Sequence, residues 1–174
     1  VKFIYDVTHP LLLLYFLVPF VLLVLSLLLK KSFFLSKKAA IFLMLTILLG
    51  PGLVINLILK DNVDRARPHH IIQFGGDKQF TPAFVVSDQC EKNCSFVCGH
   101  ASAGFSLMAI AFLVRRELKN RILLIASTIG FVIGAVRIIQ GGHFFSDVIF
   151  SFFFTFFTLR ILYYLMYERV KTKD

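Results

Sequence analysis

Charged residues are scarce in this chain. Asp, Glu, Lys and Arg supply 17% of the 174 residues and hydrophobic ones 57%. With a mean hydropathy of +0.79, too little polar surface is left to coat a soluble domain, so the reading is an integral membrane protein. Acidic residues are scarcer still, ten against nineteen lysines and arginines, for a net charge of +9. Such an excess serves nucleic-acid binding in some proteins. Here the basic residues stand in short clusters beside apolar runs, as topology signals do, and nucleic acid is not expected as a partner. An initiating methionine is missing too: the chain begins at Val1, and no charged, apolar and cleavable leader precedes it. A fragment or processed chain, with a further span ahead of Val1, is therefore expected. Internal repeats are absent, and residues 1–174 read as a single domain.

What is present is a succession of apolar runs, which makes the expected fold all-α, a polytopic transmembrane helix bundle. Spans are expected at about 11–29, 39–59, 98–114, 122–139 and 144–166. At about 1.5 Å per residue, ~20 residues cross a hydrocarbon core of roughly 30 Å. Pro10 suits a helix start, Pro19 a kink, and Gly130 with Gly134 a close approach of two helices. Residues 60–97 form a polar loop longer than connections usually are, which marks it as functional or disordered. The basic clusters at 30–38, at 115–121 and in the C-terminal tail fall on one side of a five-span chain, and the positive-inside rule makes that side cytoplasmic. Alternation then puts Lys60, Arg67, His100, Arg137 and His143 in one aqueous layer outside the cytoplasm.

Three polar fragments in that layer carry chemistry. Arg137-Ile-Ile-Gln-Gly-Gly-His143-Phe-Phe-Ser-Asp147 joins two apolar helices. If the chain is helical after Gly142, His143 and Asp147 lie one turn apart on one face, and the carboxylate can hold one imidazole nitrogen while the other faces outward. That is an oriented nucleophile or base. Taken singly, Arg137 reads as a helix-end anchor, His143 as a buried hydrogen-bonding histidine and Asp147 as a carboxylate favoured by a helix N-terminus. Ionisable groups converging at a span end point instead to function. Lys60, six residues before Arg67-Pro68, reads alone as an interfacial anchor; paired with Arg67 it supplies a point charge and a planar fork for phosphate. Cys98-Gly99-His100 opens the third span. Its backbone amides suit an anion, and an imidazole at 100 suits a proton donor, although a simple helix cap would look similar.

In this order, Lys-x6-Arg-Pro, x-Gly-His and Arg-x5-His-x3-Asp resemble the three-motif signature of the type-2 phosphatidic acid phosphatase superfamily, over about residues 40–160. The resemblance implies a helical bundle of six spans that hydrolyses lipid phosphates without a metal or other cofactor. It implies that His143 attacks phosphorus to form a phosphohistidine, that Asp147 orients it and that His100 protonates the departing alcohol. Lys60, Arg67, Arg137 and the amides of Cys98 and Gly99 would hold the phosphoryl oxygens. Two positions depart from the pattern: Val97-Cys98 replaces the usual Pro-Ser, and Val136 the serine before the arginine. A thiol is a poorer hydrogen-bond donor than a hydroxyl, so one phosphate contact is expected to weaken.

The expected partners are the bilayer and a phosphorylated membrane lipid. Lipid A leads among the substrates, since Cys-x3-Cys-Ser-Phe-Val before Gly99-His100 resembles lipid A phosphatase-like members. Undecaprenyl diphosphate, phosphatidylglycerol phosphate and phosphatidic acid stay open, as does phosphotransfer to a second lipid. A non-catalytic phospholipid-binding or transport protein would need the cations but no oriented nucleophile. The expected location is a bacterial inner membrane with the site on its periplasmic face. On that oxidising side the spacing of Cys90, Cys94 and Cys98 favours a Cys90–Cys94 disulfide; a metal cluster with His100 is the alternative, on a spacing that matches no common zinc pattern. With that disulfide, Cys98 would be the unpaired thiol, inside the site and open to modification: alkylation without reductant, read by intact mass, is expected to show one reactive thiol, and three would defeat the pairing.

Overall fold

The computed structural model describes residues 2–31 and 35–169; Val1 and the end of the charged tail, 170–174, lie outside them. Helix α1 covers Lys2–Leu28. Helix α2 covers Lys37–Ile47 and continues with wider, π-type turns over Leu48–Leu59; the one-turn α3 is Lys60–Val63. Helix α4, Gly99–Ser106, continues as 3-10 turns over Leu107–Phe112; α5 is Arg116–Ile139, and α6, Phe145–Tyr163, continues through Tyr164–Glu168. No strand forms among the described residues, where an isolated bridge pairs Ile71 with Lys78.

All five apolar runs of the sequence are helical. Lys37–Leu59, Arg116–Ile139 and Phe145–Glu168 are long and apolar enough to cross a membrane, whereas Leu12–Leu28 and Gly99–Phe112 are apolar but shorter. Pro10 does not open a helix as expected; it lies inside α1 with Pro19, each removing one backbone amide from the ladder without ending it. Pro51 acts more strongly. It falls where α2 widens, and Asn56 Nδ2 donates to its carbonyl at 2.7 Å, satisfying an acceptor that lipid could not.

Short α4 is the centre of the bundle. Every residue from Ala101 to Ser106 is buried, as in a helix covered on all sides. Glycine makes this possible. A Cβ at Gly130 would lie 2.1 Å from the Phe105 ring, and one at Gly134 would lie 2.3 Å from a Val148 methyl. The expected small-residue stripe therefore serves two neighbours, α4 at Gly130 and α6 at Gly134. Ser102 and Thr155 hydrogen-bond across α4 and α6 at 2.7 Å, and Tyr15 donates from α1 to the Ser106 carbonyl at 3.2 Å. Outward side chains such as Leu124, Ile125 and Phe157 stay exposed, as lipid contact requires.

The two ends of the bundle differ in charge. At one end Lys38 sits 4.6 Å from the Tyr167 ring and Lys119 4.9 Å from Phe112, which gathers the basic clusters. At the other end α2 stops, α4 starts, α5 stops and α6 starts, and the long loop packs there. Phe84 is wedged against Phe96 and Phe150, with centroids 5.0 and 4.5 Å away, so this loop is folded onto α6. Because the close approach of α5 to α4 depends on a missing side chain, Gly130→Ala is expected to destabilise the protein by about 1–3 kcal/mol. A lower midpoint of thermal unfolding in detergent, set against an unchanged one for Gly50→Ala, whose added methyl meets nothing within 4 Å, checks it.

Candidate active site

The turn between α5 and α6 is built on two glycines. Gly141 takes φ +65, and a Cβ on Gly142 would lie 2.7 Å from an Arg137 guanidinium nitrogen. The absent side chain lets Arg137 fold back over the turn, where its Nη1 donates to Gln140 Oε1. The long loop is tied to the same turn, since the His69 amide and Nδ1 both donate to the Gly141 carbonyl, at 3.1 and 2.6 Å.

Asp147, in the first turn of α6, is fully buried. One of its oxygens, Oδ2, accepts from the Ser95 hydroxyl at 2.5 Å and from the Phe144 amide at 2.8 Å. The other, Oδ1, pairs with the Arg65 guanidinium at 2.6 Å. His143, one turn earlier and 1% exposed, was expected to lean on this carboxylate. Its closer partner is the Ser95 carbonyl, 2.7 Å from Nδ1, with Asp147 Oδ2 at 3.6 Å. A carbonyl only accepts, so Nδ1 carries a proton, and in the neutral ring Nε2 keeps its lone pair. Nε2 has no hydrogen-bond partner among the described residues. His143 lines an open cleft of about 460 Å³ with Pro68, His69, Ile138 and Phe145.

Lys60 Nζ donates to Asn93 Oδ1 at 3.0 Å, and Arg67 grips the Asn93 carbonyl with Nε and Nη2 at 3.1 and 2.7 Å. A Cβ on Gly99 would lie 3.6 Å from Lys60 Nζ, so the ammonium stands over the start of α4. Cys98 precedes that start and donates its amide to the Asp147 carbonyl at 3.2 Å, while half-buried His100 is on the first turn. Ser151 Oγ bridges the Cys98 and Asp147 carbonyls at 2.9 and 2.7 Å, which locks α4 to α6. Cys90 and Cys94 are joined as a disulfide. Cys98 keeps its thiol but is fully buried, so the fold shields the sulfur that the sequence left open to modification. Among the described residues, no three His, Cys, Asp or Glu side chains converge as metal ligands would.

Residues 39–171 match the family model described as the PAP2 superfamily. The chain belongs to that superfamily. It is 46% identical over 134 residues to a Lipid A 4'-phosphatase of Francisella tularensis subsp. novicida, a match covering 76% of this chain and 60% of the relative. Lipid A 4'-phosphatases of Rhizobium leguminosarum and Rhizobium etli are each 34% identical, over 104 and 102 residues, or 60% and 59% of this chain. The chain spans 60%, 45% and 40% of the lengths of these three relatives. No solved structure matches it.

Two residues of this PAP2 site escaped the sequence reasoning. Arg65 occupies a variable position inside Lys60-x6-Arg67, yet it is 2% exposed. It donates to Ser146 Oγ at 3.0 Å and to the Thr81 carbonyl at 2.8 Å, and stacks 4.0 Å from the Phe144 ring. Burial lowers its pKa from the usual guanidinium value against the opposing pull of Asp147, and it remains a cation. The one available signal was that a buried carboxylate needs a counter-ion, but sequence could not choose among four cations. Ser95 acts through its main chain as well as its hydroxyl, and a backbone carbonyl has no sequence signature. Around His143, burial opposes a charged ring while the neighbouring Cys98 sulfur and Asp147 outweigh it, raising the pKa above the ordinary imidazole value.

Removing Arg65 would strand a buried carboxylate. Arg65→Met is expected to cost about 3–5 kcal/mol, and Arg65→Met combined with Asp147→Asn less than the sum of the two single changes. Unfolding midpoints of the four proteins in detergent check this, strict additivity being the contrary result.

Proposed function

We propose that this chain is a lipid phosphatase, a phosphomonoesterase that removes a phosphate from a membrane lipid by way of a phosphohistidine at His143. The observation that carries the reading is the state of that ring: buried beside a cleft, its Nδ1 committed to a carbonyl and its Nε2 given to no hydrogen bond among the described residues. A site that only bound phospholipid would have no use for an oriented nucleophile. The Nε2 lone pair attacks phosphorus, the ester P–O bond breaks, and His100 gives its proton to the departing lipid oxygen. Water then attacks the phosphohistidine and loses a proton to His100; the N–P pair returns to His143, and inorganic phosphate leaves. Lys60, Arg67, Arg137 and the Gly99 amide hold the phosphoryl oxygens, where charge stabilisation is strongest in a water-poor site; the Cys98 amide, expected to join them, is given to the Asp147 carbonyl instead. Asp147, anchored by Arg65 and Ser95, keeps the His143 ring in place.

Lipid A is the favoured substrate. The support is the name shared by the three relatives and the apolar wall of the cleft, Ile138, Ile139 and Phe145 beside His143, which suits an amphiphile. The site is assigned to the extracytoplasmic face of a bacterial inner membrane. Basic clusters at the opposite end of the bundle and the Cys90–Cys94 disulfide support that orientation.

Phosphate release in detergent with EDTA, from lipid A 4'-phosphate and from short-chain phosphatidic acid, tests the proposal. His143→Ala is expected to lower the rate by about 10³-fold or more, and the alkali-stable, acid-labile ³²P label that a phosphohistidine gives on wild-type protein should be absent from the variant. Equal rates for the two proteins would remove His143 as nucleophile, and loss of lipid phosphate without inorganic phosphate would mean transfer to a second lipid.

A further inference from the structure

Between the disulfide and the catalytic histidine lies a segment that none of the three motifs contains. Lys60 and Arg67 meet at Asn93: its side-chain oxygen takes the ammonium, and its carbonyl takes the guanidinium edge. Its backbone has φ +54, a left-handed conformation that asparagine tolerates better than most side chains. On the C-terminal side Asn93 is firmly held. Cys94 is 1% exposed, and Ser95 is bonded through its amide to the Arg65 carbonyl at 2.8 Å, through its carbonyl to His143 and through its hydroxyl to Asp147. On the N-terminal side, Glu91 and Lys92 are exposed, and the Cys90–Cys94 bond closes the loop onto its buried anchor.

We propose that Asn93, clamped by the Cys90–Cys94 disulfide, is a positioning residue that aims Lys60 and Arg67 at the phosphoryl group, so that affinity for the phosphate anion depends on an intact disulfide loop. The proposal rests on the reading of this site as one for phosphate esters. The chemistry of the acceptor carries it further. A neutral amide orients two cations without itself neutralising either. A carboxylate in the same place would neutralise them and compete with phosphate. Asparagine is thus suited to the position by being uncharged as well as by its shape. Because the phosphoryl oxygens are held before and during reaction alike, a loss of aim weakens uniform binding, which raises KM more than it lowers kcat.

Asn93→Asp is nearly isosteric and tolerates the same backbone, so it separates charge from folding. In detergent, wild type, Asn93→Asp and wild type treated with dithiothreitol are compared for KM and kcat on short-chain phosphatidic acid, for competitive inhibition by inorganic phosphate, and for the rise in unfolding midpoint that phosphate produces. Dithiothreitol delivers two electrons and two protons to Cys90 and Cys94 and is itself oxidised to the cyclic disulfide. Expected are a rise of about tenfold in KM and in phosphate Ki for both the variant and the reduced protein, with kcat changed less than about threefold. Reoxidation should restore the reduced protein, and without phosphate Asn93→Asp should melt with wild type. Wild-type KM and Ki in both, or a loss confined to kcat, would overturn the proposal. Phosphate-induced stabilisation in wild type that is lost in Asn93→Asp supports the aiming role even if no lipid is hydrolysed, a result that would defeat the phosphatase reading instead. Equal stabilisation in the two overturns the aiming role whether or not turnover is seen.

Discussion

A carboxylate with no exposed surface has to be compensated on every side, and in this protein that demand organises the functional end of the bundle. Asp147 meets it with one guanidinium, one hydroxyl and one main-chain amide. Each partner comes from a different stretch of chain: Arg65 from the segment after α3, Ser95 from the end of the long loop, Phe144 from the turn before α6. Removing an ion from water costs several kcal/mol unless its partners are in place. The four segments therefore have one common arrangement in which the charge is tolerable, and that arrangement also sets the ring of His143.

The histidine is held less by the carboxylate than by the main chain. With the Ser95 carbonyl 0.9 Å closer to Nδ1 than Asp147 Oδ2 is, at 2.7 against 3.6 Å, the tautomer is decided by a group that can only accept. Asp147 then works mostly at one remove, by gripping the hydroxyl of the residue whose carbonyl holds the ring. A run of three residues, Asn93 to Ser95, thus touches both cations, the buried arginine, the histidine and the aspartate. The disulfide at Cys94 anchors that run.

Lipid imposes the second constraint. Where water cannot hydrogen-bond, helices approach through small residues and bridge through hydroxyls, as at Gly130 beneath Phe105, Gly134 beneath Val148, and Ser102 against Thr155. These contacts sink a helix too short for an ordinary span into the centre of the bundle, which brings its N-terminal Gly99 beside Lys60. The polar loop is tied down by a similar apolar contact, the edge of Phe84 set against Phe150 of α6 although the ring stays partly in the open.

Much of this was legible in advance. Apolar runs, basic clusters and the three spaced motifs are local properties of the chain, so the all-helical fold and the family were within reach of the amino-acid sequence alone. Helix limits were less so: Pro10 sits inside α1 and α5 begins six residues before residue 122, at Arg116, because proline and charged first turns are tolerated where the ladder continues. Only the tertiary structure decided which of four cations neutralises Asp147, which atom holds the His143 ring, and that one asparagine unites Lys60 with Arg67. Those choices are made by backbone carbonyls and by contacts across 26 to 82 residues of chain, and a carbonyl, being common to every residue, leaves no trace in the letters.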